Sequence, residues 1–269
     1  MATDNHHVDP VLPLEIERII LQMALKNDMN NAKNLLFICK DVFDWLIPTL
    51  YNVVVLTSHK GYAWPPLRLP IAKLPQYGPH VRHLSIMWIP DTVVDQYLQS
   101  CPNIVDLARS EEFSQSQIEH IARLPLRQLE LNSKDARSIP MTPSILALFS
   151  KITHLHAEEL KVQYLSYFPS LTHLVLGMDV ERKVFIEVLE QRPGLQVLMV
   201  RLYFHSLRIP EVTLGEVITG LDDPRVVYLN YSVENSWKMK AMGDPRNAWS
   251  LSERTVESRL AVARAQRLS

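Results

Sequence analysis

Apolar positions along the chain recur with two different periods. From about residue 81 one short pattern keeps returning: an apolar residue, two variable ones, Leu, one variable, then an apolar or small residue. It occurs at Val81–Ile86, Ile104–Ala108, Leu126–Leu131, Ile152–Ala157, Leu171–Leu176, Leu195–Val200 and Val226–Tyr231. Such short period-two stretches predict strands. Their starts at 81, 104, 126, 152, 171, 195 and 226 are 23, 22, 26, 19, 24 and 31 residues apart. Pro79, Pro102, Pro125, Pro169, Pro193 and Pro224 stand one or two residues before six of them. Proline ends a preceding helix and favours an extended entry to the next strand.

Between strands the period lengthens to that of a helix. Val93, Val94, Tyr97 and Leu98 make one face; Ile145, Leu146 and Phe149 another. Val184, Phe185, Val188 and Leu189 make the clearest, within Glu181 to Gln191, and Leu214, Val217, Ile218 and Leu221 a fourth. A strand–helix unit of this size cannot bury its own apolar face, so neighbours must stack. Val53-Val54-Val55-Leu56 reads as an entering strand. The fold class is therefore α/β with parallel strands, either a stacked repeat array or an ordinary parallel α/β domain.

Residues 12–51 read as helices. Leu12-Pro13-Leu14-Glu15 opens the first, with proline where its missing N–H costs nothing. Ile16, Ile19, Ile20 and Met23 form one stripe, Ala32, Leu35, Leu36 and Cys39 a second, and Val42, Phe43, Leu46, Ile47 and Leu50 a third. Trp45 and Tyr51 make the last helix apolar nearly all round, so it needs cover on two sides. About forty residues are marginal as an independent unit. Thr57 to His80 carries Pro65, Pro66, Pro70, Pro75 and Pro79 and reads as a stiff connector, with one helical turn around Ile71 to Leu74. Asn235 to Ala248 is a loop with a turn at Gly243-Asp244-Pro245. Ser250 or Ser252 then caps a final helix bearing Val256, Leu260, Ala263 and Leu268, with Trp237 and Trp249 packed nearby. The divisions are a tail (1–11), a helical module (12–51), the strand repeats (52–234), and a C-terminal loop and capping helix (235–269).

Charge and composition narrow the function. The 269 residues carry 28 basic and 29 acidic side chains spread evenly, which argues against nucleic acid as a partner. No run of 18 apolar residues and no signal-like N-terminus is present, so no membrane partner is expected. Proline (18) far exceeds glycine (7), against a glycine-rich nucleotide fold. The only cysteines, Cys39 and Cys101, read as buried free thiols, which points to a reducing compartment, cytoplasmic or nuclear. Glycine-rich phosphate loops, nucleophile elbows and HExxH are all missing, so no catalytic residue, cofactor or enzymatic role is assigned.

The strand pattern resembles an irregular leucine-rich repeat over roughly residues 53 to 231, without the Asn that usually follows the strand. The helical module resembles the F-box on Leu12-Pro13, Glu15-Ile16, Ile19, Leu35-Leu36 and Ile38-Cys39-Lys40. With Pro48, Leu50-Tyr51 and the Val-rich strand that follows, it looks like the F-box-like proteins common in fungi. A tryptophan often found just after Cys-Lys is replaced here by Val42 and Phe43, with Trp45 later. The resemblance implies docking onto the Skp-type adaptor of a cullin–RING ubiquitin ligase through Leu12, Pro13, Ile16, Ile19, Leu35, Leu36, Cys39 and Lys40. The repeats would then present a protein client. The alternative makes residues 12–51 a cap on an interaction scaffold unconnected with ubiquitination, and a third reading is an α/β enzyme with an unreadable site.

In a leucine-rich repeat the residues flanking the central Leu face outward from the sheet. That implies a client strip of His83, Asp106, Gln128, Glu130, His154, His156, His173, Met199, Tyr228 and Asn230. It is polar through its middle and apolar at its C-terminal end. His154 and His173 would lie side by side on adjacent strands roughly 5 Å apart. With His156 they have the chemistry of metal ligands, but no neighbouring carboxylate or thiolate completes a set, and no metal site is assigned.

Overall fold

The inward-facing leucines form a ladder across one sheet. Register pairs Val54 with Leu84, Leu84 with Leu107, Leu107 with Leu129, Leu129 with Leu155, Leu155 with Leu174, Leu174 with Leu198, and Leu198 with Val226. All are at most 4% exposed. Burying one such side chain stabilises by about 1.5–3 kcal/mol, so the repeat itself holds the sheet together.

The computed structural model describes residues 12–27, 32–58, 69–131, 139, 141–158, 160–177, 180–202, 221–230, 237 and 239–268. Eight strands lie in chain order and run parallel: β1 (Val53–Thr57), β2 (His83–Met87), β3 (Asp106–Arg109), β4 (Gln128–Leu131), β5 (His154–Ala157), β6 (His173–Gly177), β7 (Val197–Leu202) and β8 (Val226–Asn230). Three helices precede them: α1 (Leu14–Asn27), α2 (Ala32–Leu36) and α3 (Lys40–Leu50). Connections carry α4 (Leu74–Tyr77), α5 (Asp91–Ser100), α6 (Gln115–Ile121), α7 (Pro143–Phe149) and α8 (Arg182–Gln191), and α9 (Ala248–Leu268) ends the chain. The expected connector turn is present as a 3-10 turn at Ile71–Lys73 running into α4. The expected tail, Pro65 and Pro66, and the face at Leu214, Val217 and Ile218 lie outside the described residues.

The connecting helices α5 to α8 cover one face of the sheet. Val94, Tyr97 and Leu98 of α5, Ile118 and Ile121 of α6, and Phe185, Val188 and Leu189 of α8 join the leucine ladder in one core. On α7 the inward residues are Ile145, Leu148 and Phe149, while Leu146 is turned to solvent. Local chemistry starts these helices. Ser114 and Gln117 form a reciprocal capping box on α6, and Thr142 caps α7 with Pro143 at its first position. Gly78 is fixed by close approach, since a Cβ there would collide with the Ser100 carbonyl.

Three sequence expectations change. Cys101 is buried as expected, but Cys39 is exposed, because α2 ends at Leu36 and Cys39 stands at the entrance to α3. The last helix starts at Ala248, ahead of both serines. Asn247 caps it by accepting the Ser250 N–H at 3.1 Å, whereas Ser252 is fully buried inside the helix. In β8 the register differs by three residues, which inverts the alternation: Val226, not Leu229, pairs with Leu198. Tyr228 therefore packs against the helix-covered core, and Val227 and Leu229 take the opposite face. Tyr228 thus does not occupy the outward strip, and the side chain of Asn230 lies outside the described residues.

Candidate functional site

Two surfaces concentrate the features of interest. The first is the outside of the N-terminal helices. Leu25 of α1 and Val42, Leu46, Ile47 and Leu50 of α3 form a small core, with Leu21, Leu35, Leu36 and Tyr77 packed on it. Tyr51 stacks on Tyr77 at 4.8 Å, joining this core to the connector before β2. The apolar stripe of α1 is not part of that core: Ile16, Ile19, Ile20 and Met23 are 43–58% exposed. Leu12, Leu14, Phe37 and Ile38 are exposed with them. Of the predicted docking residues, Leu12, Pro13, Ile16, Ile19, Cys39 and Lys40 lie on the surface, while Leu35 and Leu36 are half-buried against α3.

The second surface is the sheet face opposite the connecting helices. The expected strip is there through β2 to β7, but it is not open. The chain's own C-terminal segment lies across it. Trp237 and Ala241 pack on Ala108, with Val53 and Val55 alongside. Ala248 and Val256 pack with Val175, Val197, Met199 and Val227, with Trp249, Leu229 and Leu260 alongside. Asp106, His156, His173 and Met199 are consequently buried, and the expectation of a solvent-facing strip is corrected for them. The cover is apolar where the strip is apolar and polar where it is polar.

Asp106 shows how the polar half is satisfied. Its carboxylate accepts from Trp237 Nε1 at 3.1 Å, lies 3.6 Å from Lys240 Nζ and 3.4 Å from His83 Nδ1. Burial raises its pKa, and Lys240, His83 and Trp237 more than offset this, holding the carboxyl below its ordinary range. Burial lowers the Lys240 ammonium, opposed by Asp106 and Glu253. Lys240 also lies over the Trp249 ring, 5.7 Å from its centroid.

His154 and His173 stack with centroids 4.1 Å apart and rings 5° from parallel, and Trp249 presents an edge-on contact to both. Burial, with His173 and Lys240 adding, pushes His154 down to about 2; burial and Lys240 push His173 down to about 4. His173 Nε2 lies 3.1 Å from Glu253 Oε1 of α9. His156 is held apart from them, with Nδ1 3.4 Å from Glu130 and Nε2 3.8 Å from Glu158. Gln128 and Glu130 stay half-buried at the edge of the cover. Beyond it, a cleft of about 260 Å³ opens where the strands end, walled by Met87, Arg109, Glu130, Glu158 and Arg201. Arg109 is tied to Asp91 at 2.7 Å and to Gln117, and Arg201 to Glu158 at 2.8 Å.

Sequence reasoning missed the roles of Lys240 and Glu253, which have no local signature. One signal for the cover was available. Strands β2 to β5 alternate polar and apolar residues, whereas Leu174–Leu176, Val197–Val200 and Val226–Leu229 are apolar almost throughout, as strands buried on both faces are. Together these features define a parallel α/β protein. Comparison with protein-family models, curated proteins and solved structures found no match. Among the described residues no helix is long and apolar enough to cross a membrane.

Proposed function

We propose that the chain is a substrate-recruiting subunit of a Skp–cullin–F-box type ubiquitin ligase, with no catalysis of its own. Residues 12–51 dock the Skp-type adaptor and the strand region, read as an irregular leucine-rich-repeat array, holds a protein client. The observation that carries this reading is the exposed stripe Ile16, Ile19, Ile20 and Met23 on one face of α1, with Leu12, Leu14, Phe37 and Ile38 of the same module exposed as well. Exposed apolar side chains gathered on one helix face mark a contact site. A module serving only as a cap would turn its apolar stripe onto the repeats. Here the contact is made at the end of α3, where Tyr51 stacks on Tyr77, and α1 meets the core through Leu21 and Leu25 while its stripe faces solvent.

The client reading moves with the structure. The uncovered ground is the cleft around Arg109, Glu130, Glu158 and Arg201, whose mixed charges suit a polar peptide segment, together with half-buried His83, Gln128 and Glu130. The test is co-purification of the tagged full chain with the Skp-type adaptor. Wild type retains the adaptor, and a Leu12→Ala/Pro13→Ala variant of unchanged circular dichroism loses it. Absence of adaptor from the wild-type eluate, or equal recovery with the variant, defeats the proposal and leaves the scaffold reading.

A further inference from the structure

We infer that His154, His173 and Glu253 form a divalent-metal site, of the class that takes Zn²⁺, which pins the C-terminal helix to the sheet. Among the described residues these three groups each offer a ligand atom, all within 4.8 Å of one another. The carboxylate that local sequence could not supply comes from α9, eighty residues beyond His173.

The Thr hydroxyls hold the Nδ1 side of both rings. The Thr172 hydroxyl lies 3.1 Å from the Thr153 carbonyl and 2.8 Å from His173 Nδ1. The Thr153 hydroxyl lies 3.2 Å from the Arg127 carbonyl and 2.9 Å from His154 Nδ1. In the tautomer in which each hydroxyl donates to its carbonyl, Nδ1 carries the ring proton and Nε2 keeps a lone pair. A histidine that donates one ring N–H to a neighbouring oxygen while presenting the other nitrogen is the arrangement metal-bound imidazoles use.

His173 Nε2 is buried, makes no hydrogen bond, and faces Glu253 Oε1 at 3.1 Å. In that tautomer both atoms are acceptors and repel at this distance unless a cation stands between them. A divalent ion satisfies both atoms at once.

Two donors on one zinc at about 2.0–2.1 Å are roughly 3.4 Å apart; His173 Nε2 and Glu253 Oε1 at 3.1 Å are near that separation, and the widest pair, within 4.8 Å, closes by up to about 1.4 Å. The stacked rings must tilt out of parallel for their lone pairs to converge, a motion about the broad terminal torsion of histidine. Glu253 is half exposed, which leaves an entry path and room for water in the remaining positions. The opposing charge is Lys240, which Asp106 at 3.6 Å partly balances. His156 takes no part, held between Glu130 and Glu158.

The test uses the full chain stripped with chelator, then titrated with Zn²⁺ by calorimetry and with Co²⁺ by visible absorption. One ion per chain is expected, with ligand-field bands showing nitrogen and oxygen donors. Glu253→Gln keeps the fold and weakens binding at least about tenfold. His156→Ala binds as wild type. Zn²⁺ also slows amide exchange in residues 248–268 of wild type and not of Glu253→Gln. No saturable binding, or equal affinity in Glu253→Gln, overturns the site; tight binding without protection of the helix overturns the pin.

Discussion

The two ends of the chain treat apolar side chains in opposite ways. Helix α1 is short and strongly amphipathic, yet Ile16, Ile19, Ile20 and Met23 face solvent while Leu21 and Leu25 meet α3. Helix α9 is longer and mostly polar, and Ala248, Trp249, Val256 and Leu260 are drawn onto the sheet while Leu251 and Val262 stay exposed. Strength of pattern thus does not tell which helix is covered. The sheet supplies a matched surface to the C-terminal segment, apolar at β6 to β8 under α9 and charged at β3 under Trp237 and Lys240. The N-terminal module offers α1 only a core too small to cover both of its sides, and its stripe remains for a partner.

The contrast breaks most severely at Asp106. Asp106→Ala leaves the Lys240 ammonium buried without its counter-charge and removes the acceptor of Trp237 Nε1. A broken buried pair costs about 3–5 kcal/mol, to be read from the urea midpoint of the full chain. Asp106→Asn, which keeps the acceptor for Trp237, should lose less. Equal, small losses would mean that the C-terminal cover is not held through this network.

Acid comes next. In chelator, His154 and His173 are neutral in the fold well below their ordinary value, so below about pH 6.5 the unfolded chain takes up protons that the folded chain does not. Stability is full above pH 6.5. It falls between 6.5 and about 4 for His173, by about 3 kcal/mol, and further for His154. Fluorescence of Trp249, which edges both rings, should report the same loss. An acid-insensitive midpoint over that window would show the rings to be solvated.

Val256→Ala tests the apolar half. It removes two methyl groups from a buried contact with β7 and β8, worth about 2 kcal/mol. The loss should show as faster amide exchange across residues 248–268 with little change at α1.

How far the sequence reveals this depends on which side of each strand is asked about. The helix-covered face was legible, because Leu84, Leu107, Leu129, Leu155, Leu174 and Leu198 recur at nearly constant spacing and each needs the next. The other face was legible only as positions. Whether His173 or Met199 meets water depends on a helix fifty to eighty residues away, and no local pattern carries that. In β8 the slip has the same origin: Val226-Val227-Tyr228-Leu229 is covered on both sides, so it lacks the alternation that would fix its register. For α1 the stripe was found and its direction was not, since periodicity identifies an apolar face without saying what will cover it.

The smallest expected change in stability is the one that tests this last point. Ile16→Ser/Ile19→Ser alters two side chains 43% and 50% exposed, with Leu25 and the α3 residues untouched. Surface changes of this kind move stability by about 0.5 kcal/mol or less. If α1 presents its stripe to a partner, the urea midpoint stays near wild type while adaptor binding falls by an order of magnitude or more, since apolar anchors at the centre of an interface cost about 2 kcal/mol or more each. If the stripe instead closes onto the chain's own surface in solution, the midpoint drops with the substitution. The same two residues therefore decide whether the helix is left open for another molecule or covered by its own.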